Sequence, residues 1–233
     1  MKILVTGGSR GIGKAIFEEL SKEHSVYITG RNEETLKFVC AAGYFVCDFT
    51  KDIKGLCDYI KETGFDCVIN NAGEYTYGDV DKMSKNDIER IYKTNLIAPV
   101  RIISAAVTYM KEKKFGRIVN IGSISGVMGE AYASLYSSSK SGLIGLTKAL
   151  ALELAEFNIT VNTINPGWVD TELADNSIER SEFSKEEITS CIPQHRFVSP
   201  EEIAGLVKYL ISDGAKGLTG QSINLCAGLS VGI

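Results

Sequence analysis

Tyr136 and Lys140 stand four residues apart, which places them one turn from each other on one face of a helix. An ammonium at that spacing favours a tyrosinate and draws a phenol down from its ordinary value of about 10 towards neutral pH. The pair makes Tyr136 a candidate acid/base. Ser123 closes the apolar run Arg117–Ile121, which reads as a strand, and brings a hydroxyl to the edge of a sheet beside the phenol. Y-x-x-x-K alone usually decorates a solvated helix face, so the chemistry needs a second, independent signal.

The elements around these residues supply it. Ile3–Val5 is a short apolar strand that runs into Thr6-Gly-Gly-Ser-Arg-Gly-Ile-Gly13. A helix with apolar positions at Ile12, Ala15, Ile16 and Leu20 follows, and Val26–Ile28 reads as a second strand. Strand, glycine-rich turn, helix and strand make a βαβ unit. The alternation continues with helix 33–41, strand 44–46, helix 52–63, strand 67–69, a long helix from about 86 to 113 and strand 117–121. Helix 134–157, strand 159–164, helix 200–212 and strand 222–225 complete it. Ser199 before Pro200 is a good N-cap ahead of a good first helical residue. Seven strands alternating with helices predict an α/β protein: a single-domain Rossmann fold over residues 1–233, with a doubly wound, seven-stranded parallel sheet and helices on both faces. Ligands bind such sheets at the carboxyl ends of the strands.

The glycine-rich turn predicts a dinucleotide. Gly7, Gly11 and Gly13 let backbone approach a pyrophosphate, and the helix N-terminus offers N–H groups and positive dipole. The second strand ends in Thr29-Gly-Arg31, with no carboxylate before Glu33, and Arg10 adds a second guanidinium in the first loop. An acidic residue there suits the ribose 2′-OH of NAD, whereas arginine forks suit the 2′-phosphate of NADP. Either arginine alone reads as a surface residue; together they favour NADP(H).

Composition excludes other classes. The chain has 233 residues, 44% of them hydrophobic, a net charge of −4 and a pI of about 5.4, with basic residues dispersed. Nucleic acid and membrane surfaces are therefore not expected partners. No apolar stretch reaches the ~18–20 residues of a membrane span, and no leader precedes the first strand, so a cytoplasmic protein is expected. Six cysteines without a C-x-x-C pair read as small buried hydrophobes in a reducing compartment. His24 and His195 lack partners at ligand spacing, so no metal site is expected.

With these motifs in order, nearly the whole chain resembles the short-chain dehydrogenase/reductase family. Thr6–Gly13 matches its cofactor motif, Asp48 its adenine-contacting acidic residue, Asn70–Gly73 its N-N-A-G, and Asn95, Ser123, Tyr136 and Lys140 its catalytic tetrad. The resemblance implies cofactor contacts from Gly7, Ser9, Arg10, Gly11, Ile12 and Gly13, and from Asp48 with Phe49. It implies further contacts from Asn71, Ala72 and Gly73, from Tyr136 and Lys140, and from Pro166, Gly167, Val169 and Thr171 near the nicotinamide. It also implies that Tyr136 exchanges a proton with the substrate oxygen and that Lys140 lowers its pKa and binds ribose. Ser123 would hydrogen-bond the carbonyl oxygen, and Asn95 would position a water linking Lys140 to solvent.

Within the family the chain is most similar to 3-oxoacyl-acyl carrier protein reductase-type members, through Arg117–Ser123 and Gly142–Leu146. An acidic carrier protein needs a basic rim, to which Lys111, Lys113 and Lys114 could contribute. Glu153 and Glu156 stand where such reductases carry a basic residue, and Leu225-Cys-Ala-Gly228 stands where the family commonly has Asp-Gly-Gly. Trp168, Met128 and Tyr132 could line a substrate pocket, Trp168 equally serving as packing. Segment 172–196 corresponds to the substrate loop, and its 179–187 run reads as a solvated helix face or as a lid. Two helical stretches, 96–107 and 143–154, are apolar nearly all round, which favours a homo-oligomer, dimer or tetramer, over a thick local core. The leading reading is an NADPH-dependent reductase of a 3-oxoacyl thioester or similar ketone. A dehydrogenase of a sugar, polyol or other secondary alcohol is the alternative, and a non-catalytic dinucleotide-binding protein the third.

Overall fold

Aliphatic and β-branched runs form seven strands in the computed structural model, which describes residues 1–37, 39–179 and 183–231. In chain order they are β1 (Lys2–Thr6), β2 (Ser25–Gly30), β3 (Gly43–Val46), β4 (Cys67–Asn70), β5 (Gly116–Ile121), β6 (Ile159–Pro166) and β7 (Ser222–Leu225). All pair in parallel, in the order β3-β2-β1-β4-β5-β6-β7. The winding reverses between β1 and β4, and the crevice opens there, over the carboxyl ends of the strands.

Both faces of the sheet are covered, which explains strands that read as unbroken apolar runs. Ile3 and Val5 of β1 pack with α1 (Gly11–Leu20) and α10 (Pro200–Ile211). Leu4, one residue out of phase, packs on the other face with α3 (Lys54–Thr63), α5 (Ala98–Lys113) and α7 (Ser134–Leu154). The remaining helices are α2 (Glu33–Lys37), α4 (Lys85–Tyr92), α6 (Ser125–Met128), α8 (Glu172–Ile178) and α9 (Lys185–Ser190). Ser199 caps α10 as expected: its hydroxyl accepts from the Glu202 N–H and the Glu202 carboxylate accepts from the Ser199 N–H.

Three expectations need correction. The helix expected over 33–41 ends at Lys37; Phe38 lies outside the described residues, and Cys40 takes a left-handed φ of +46° that no helix continues. The long helix expected over 86–113 is interrupted by a π-helical turn at Lys93–Ile97. Pro99 is the cause available in the sequence: it has no N–H for the Asn95 carbonyl four residues back, so the α-helical ladder cannot pass that point. Of the 179–187 run, Arg180, Ser181 and Glu182 lie outside the described residues, while Ser184 and Glu187 form a capping box that starts α9.

Among the described residues no helix is long and apolar enough to cross a membrane, and no group of three His, Cys, Asp or Glu side chains could hold a metal ion. All six cysteines are free.

Candidate active site

The first wall of the site is the turn between β1 and α1. Gly7 and Gly11 take φ of +67° and +52°, and a Cβ on Gly13 would stand 2.1 Å from the Gly7 carbonyl oxygen. Only glycine lets the helix begin this close to the strand. Arg10 occupies the N-cap of α1 in an extended conformation; no side chain caps the helix, and its first turn carries no carboxylate. The opening N–H groups and the positive end of the dipole therefore face the crevice without a competing anion. Thr6 fixes the neighbouring loop, its Oγ1 accepting from the N–H groups of Asn71 (2.9 Å) and Ala72 (3.0 Å). The Asn71 amide donates to the Thr6 carbonyl at 2.9 Å.

Asp48 follows β3 and accepts from the Thr50 hydroxyl (2.7 Å) and N–H (3.0 Å), bonds that hold its carboxyl below the usual range. Arg10 and Arg31 flank the same end of the crevice, and each is engaged by a carboxylate, Glu172 and Glu74 respectively, at 2.9 Å. Glu74 is shared with Arg90. These partners were not visible in the local sequence, because Glu74 comes from the loop after β4, 43 residues from Arg31, and Glu172 from the start of α8, 162 residues from Arg10.

The second wall carries the proton chemistry. Ser123 follows β5, Tyr136 and Lys140 lie in the first two turns of α7, and Ser123 neighbours Tyr136. Lys140 is buried and donates from Nζ to the Ile121 carbonyl at 2.8 Å; it stands 5.7 Å from the centre of the Tyr136 ring. The expectation that Lys140 draws the phenol down is not met. Burial pushes Tyr136 up to about 12, partly opposed by the Ser123 hydroxyl beside it, and burial pulls Lys140 down to about 8. Desolvation of each group outweighs the attraction between them, since the ammonium is turned to a backbone carbonyl rather than to the phenol.

Asn95 sits in the π-helical turn, buried behind Gly73. Its Oδ1 accepts from the Glu74 N–H (2.9 Å), and Nδ2 donates to the Glu74 carbonyl (2.9 Å) and to Ser139 Oγ (3.1 Å). A Cβ built on Gly73 would lie 3.3 Å from Lys140 Nζ and 3.5 Å from Asn95 Oδ1, so both polar atoms address one small space.

The two walls enclose a cavity of about 1070 Å³ that reaches from Gly7, Arg31 and Asp48 to Ser123, Tyr136 and Lys140. Ser9, Ile12, Phe49, Asn71, Ala72, Pro166, Gly167, Val169 and Thr171 line it too; Asn95 alone of the expected site residues lies behind the wall. Thr171 also caps α8 through the Ala174 N–H. Met128, Tyr132 and Trp168 line the far end, and Trp168 both faces the cavity and stacks on Phe197 with centroids 5.7 Å apart. The C-terminal segment retains a place behind the site, as a Cβ on Gly167 would stand 2.9 Å from Cys226 Cα.

Lys111, Lys113 and Lys114 do not join the site. They end α5 just before β5 and so lie at the amino ends of the strands, opposite the cavity. Lys111 pairs with Glu153 at 3.9 Å and Lys113 with Asp66 at 3.0 Å. Among the cavity residues that escaped the sequence reading are Tyr75, Ser125 and Glu130, joined by hydrogen bonds beside Ser123. No spacing or motif marks them.

The model of the short chain dehydrogenase family matches residues 1–182. A 3-oxoacyl-[acyl-carrier-protein] reductase, FabG, of Aquifex aeolicus is 37% identical, with 97% of this chain and 96% of that protein covered. The 3-oxoacyl-[acyl-carrier-protein] reductase MabA of Mycobacterium bovis is 32% identical over 99% of this chain and 93% of its own. Among solved structures, a variant of actinorhodin polyketide ketoreductase with NADPH superposes with a TM-score of 0.92, at 36% identity over 99% of this chain and 97% of that one. YwfH, an NADPH-dependent reductase involved in bacilysin biosynthesis, gives 0.92 at 29% identity, covering 100% and 99% of the two chains. The glycine cradle and uncapped helix end fit the NAD(P) cofactor that this relationship implies. The chain belongs to the short-chain dehydrogenase/reductase family, as an NAD(P)-dependent oxidoreductase acting on a CH–OH/carbonyl pair.

Proposed function

We propose that the protein reduces the carbonyl of a 3-oxoacyl thioester or similar ketone with NADPH, Tyr136 acting as the general acid. One observation carries the reading: the uncapped glycine cradle and the Ser123–Tyr136–Lys140 cluster open into a single cavity. The bound cofactor supplies the hydride. The Gly7–Gly13 turn and the α1 N-terminus would hold its pyrophosphate, Asp48 with Phe49 its adenosine end, Tyr136 and Lys140 its ribose, and Pro166, Gly167, Val169 and Thr171 would line its nicotinamide end.

Tyr136 gives its phenolic proton to the carbonyl oxygen as negative charge develops, and Ser123 hydrogen-bonds the same oxygen. A phenol raised by burial stays protonated at neutral pH and is ready to act as an acid. Lys140 and Asn95, addressing one small space at Gly73, support a water between them that returns a proton to the site.

Arg10 and Arg31 support NADPH over NADH. Each is held by one exposed or shared carboxylate, and a phosphate dianion offers both guanidinium groups more charge and more acceptor atoms than those carboxylates do. The NADPH in the names of the two structural relatives agrees with this. The absence of Lys111, Lys113 and Lys114 from the cavity end favours a ketone that arrives without an acidic carrier protein.

The test is NADPH and NADH oxidation followed against acyl thioesters, small ketones and sugars, for the native protein and Arg31→Ala. Turnover with a ketone and NADPH is expected, and Arg31→Ala should raise KM for NADPH about tenfold, the size of one lost charged hydrogen bond, with little effect on NADH. Equal losses for both cofactors contradict the phosphate assignment.

A further inference from the structure

Glu130 lines the cavity beside Ser123 without a role in any of the steps above. Its two carboxylate oxygens accept from different hydroxyls, Tyr75 at 2.6 Å and Ser125 at 2.7 Å. Ser125 Oγ in turn lies 3.1 Å from Ser123 Oγ, and the Ser125 N–H donates to Ser123 Oγ at 3.1 Å. Ser123 neighbours Tyr136, close enough to draw the phenol down against the effect of burial. Hydrogen bonds thus run without a break from Ser123, the phenol's neighbour, to the half-buried carboxylate of Glu130.

Until a carbonyl binds and draws the Ser123 hydroxyl to itself, counting protons fixes the direction of these bonds. An ionised carboxylate only accepts, and a serine hydroxyl has one proton. Ser125 gives its proton to Glu130, so the contact with Ser123 carries the Ser123 proton. Ser123 then has only acceptor capacity left on the side of Tyr136, so a proton passed between them travels from the phenol. The protons along the bonded stretch point outward, from Ser123 to Glu130. The edge of one ring of the Tyr75–Tyr136 pair meets the other at 72° with centroids 5.0 Å apart, so the residue that clamps Glu130 also packs on the phenol. Burial and the neighbouring carboxylate push Tyr75 well up, which keeps it a donor and out of the transfer.

We propose that Ser123, Ser125 and Glu130 form a proton relay that connects Tyr136 to solvent by a route independent of Lys140 and the cofactor. It rests on the reading of Tyr136 as the acid/base. In the outward shift the Tyr136 O–H breaks as Ser123 gains its proton, the Ser123 proton passes to Ser125 and the Ser125 proton to Glu130. The result is a tyrosinate and a carboxylic acid, with all hydroxyls reversed and net charge unchanged. When Tyr136 has instead given its proton to the substrate oxygen, Glu130 first takes up a proton from water at the rim. The hydroxyls turn, Glu130 passes a proton to Ser125, Ser125 passes its own to Ser123 and Ser123 passes its own to the tyrosinate, so one solvent proton enters per turnover and Glu130 returns to a carboxylate. Ser125 and Glu130 act through Ser123 and do not touch the reacting atoms.

Glu130→Gln keeps the size and polarity of the side chain but cannot take up the proton, and Ser125→Ala cuts the chain while leaving Glu130 in place. Turnover of a ketone by the full-length protein is followed at low buffer and with increasing imidazole, in H2O and D2O. Both variants are expected to lose about tenfold in kcat at low buffer with KM within about twofold, as general acid–base routes of this kind contribute at least that much. Imidazole should restore Glu130→Gln and leave the native enzyme unaffected, and the solvent isotope effect should rise in both variants. A kcat within about twofold of native at low buffer, or a loss that imidazole does not restore, overturns the relay. Tyr136→Phe, run alongside, separates the two claims: retained turnover there defeats the acid/base reading itself, whereas its loss together with a buffer-insensitive Glu130→Gln defeats the relay alone.

Discussion

A lysine ammonium with its Nζ aimed at the Ile121 carbonyl, buried within α7, is a costly thing to fold. Burial brings Lys140 from an ordinary value of 10.5 to about 8, so the folded protein holds that proton less firmly than the unfolded chain. The penalty is fully present below pH 8, where both states are charged. It is relieved as pH rises from about 8 to 10.5, where the folded lysine is neutral and the unfolded one still protonated. Lys140→Met should therefore stabilise the protein at pH 7, on the order of 2–3 kcal/mol less whatever the carbonyl bond contributes. It should also abolish turnover. Thermal denaturation of both proteins from pH 6 to pH 10 checks this: a Tm gain that shrinks above pH 8 is expected, and a variant less stable than the native protein at pH 7 contradicts it. At this scale Tyr136, Lys140 and Ser123 were legible because their chemistry needs a fixed spacing on one helix and one strand end. Their electrostatics were not, since spacing reports the neighbour's charge but says nothing of desolvation. Ser125 and Glu130 carry no spacing signature, and only the loop conformation after β5 brings their oxygens together.

The π-helical turn between α4 and α5 is the element on which Asn95 depends. Pro99 sits in the first turn of α5 and leaves the Asn95 carbonyl without its α-helical partner; the turn widens and Asn95 reaches Glu74 and Ser139. Pro99→Ala restores an N–H four residues after Asn95 and permits a continuous α-helix from α4 into α5. That rotation moves the Asn95 amide off Glu74, and displacements of this kind lower kcat by up to about 10²-fold. A falling kcat with unimpaired thermal stability is expected, and native turnover in Pro99→Ala contradicts the assignment. The helix and its length were legible from the apolar pattern of 86–113, and the break was written in Pro99. What pattern reading could not show is that the ladder recovers through a wider turn instead of ending. Cys40 is a similar case, because a left-handed residue that bars the helix from reaching 41 has no signal in residue type when it is not glycine or asparagine.

For the whole molecule, the reversal of strand order between β1 and β4 joins the cofactor cradle to the proton chemistry in one crevice. The sheet was readable from alternation alone, but its order was not, since alternation and right-handed crossovers leave open which strands become neighbours. The outer faces of α5 and α7 are a different matter. Leu152 on α7 is 85% exposed, and Ile97 and Val100 are exposed at the start of α5. We propose that these faces join copies of the chain into a homo-oligomer. Sedimentation velocity at micromolar concentration should find a dimer or larger species that Leu152→Asp shifts towards monomer; a monomeric native protein contradicts the interface.

The central claim is that Tyr136 gives the proton that completes carbonyl reduction, and the kcat of Tyr136→Phe tests it most directly. Phenylalanine keeps the ring against Tyr75 and removes only the hydroxyl. NADPH affinity, measured by fluorescence titration, should stay within about threefold while kcat for a ketone falls by at least about 10²-fold, the range of general acid catalysis. Turnover near the native rate with the cofactor still bound would contradict it.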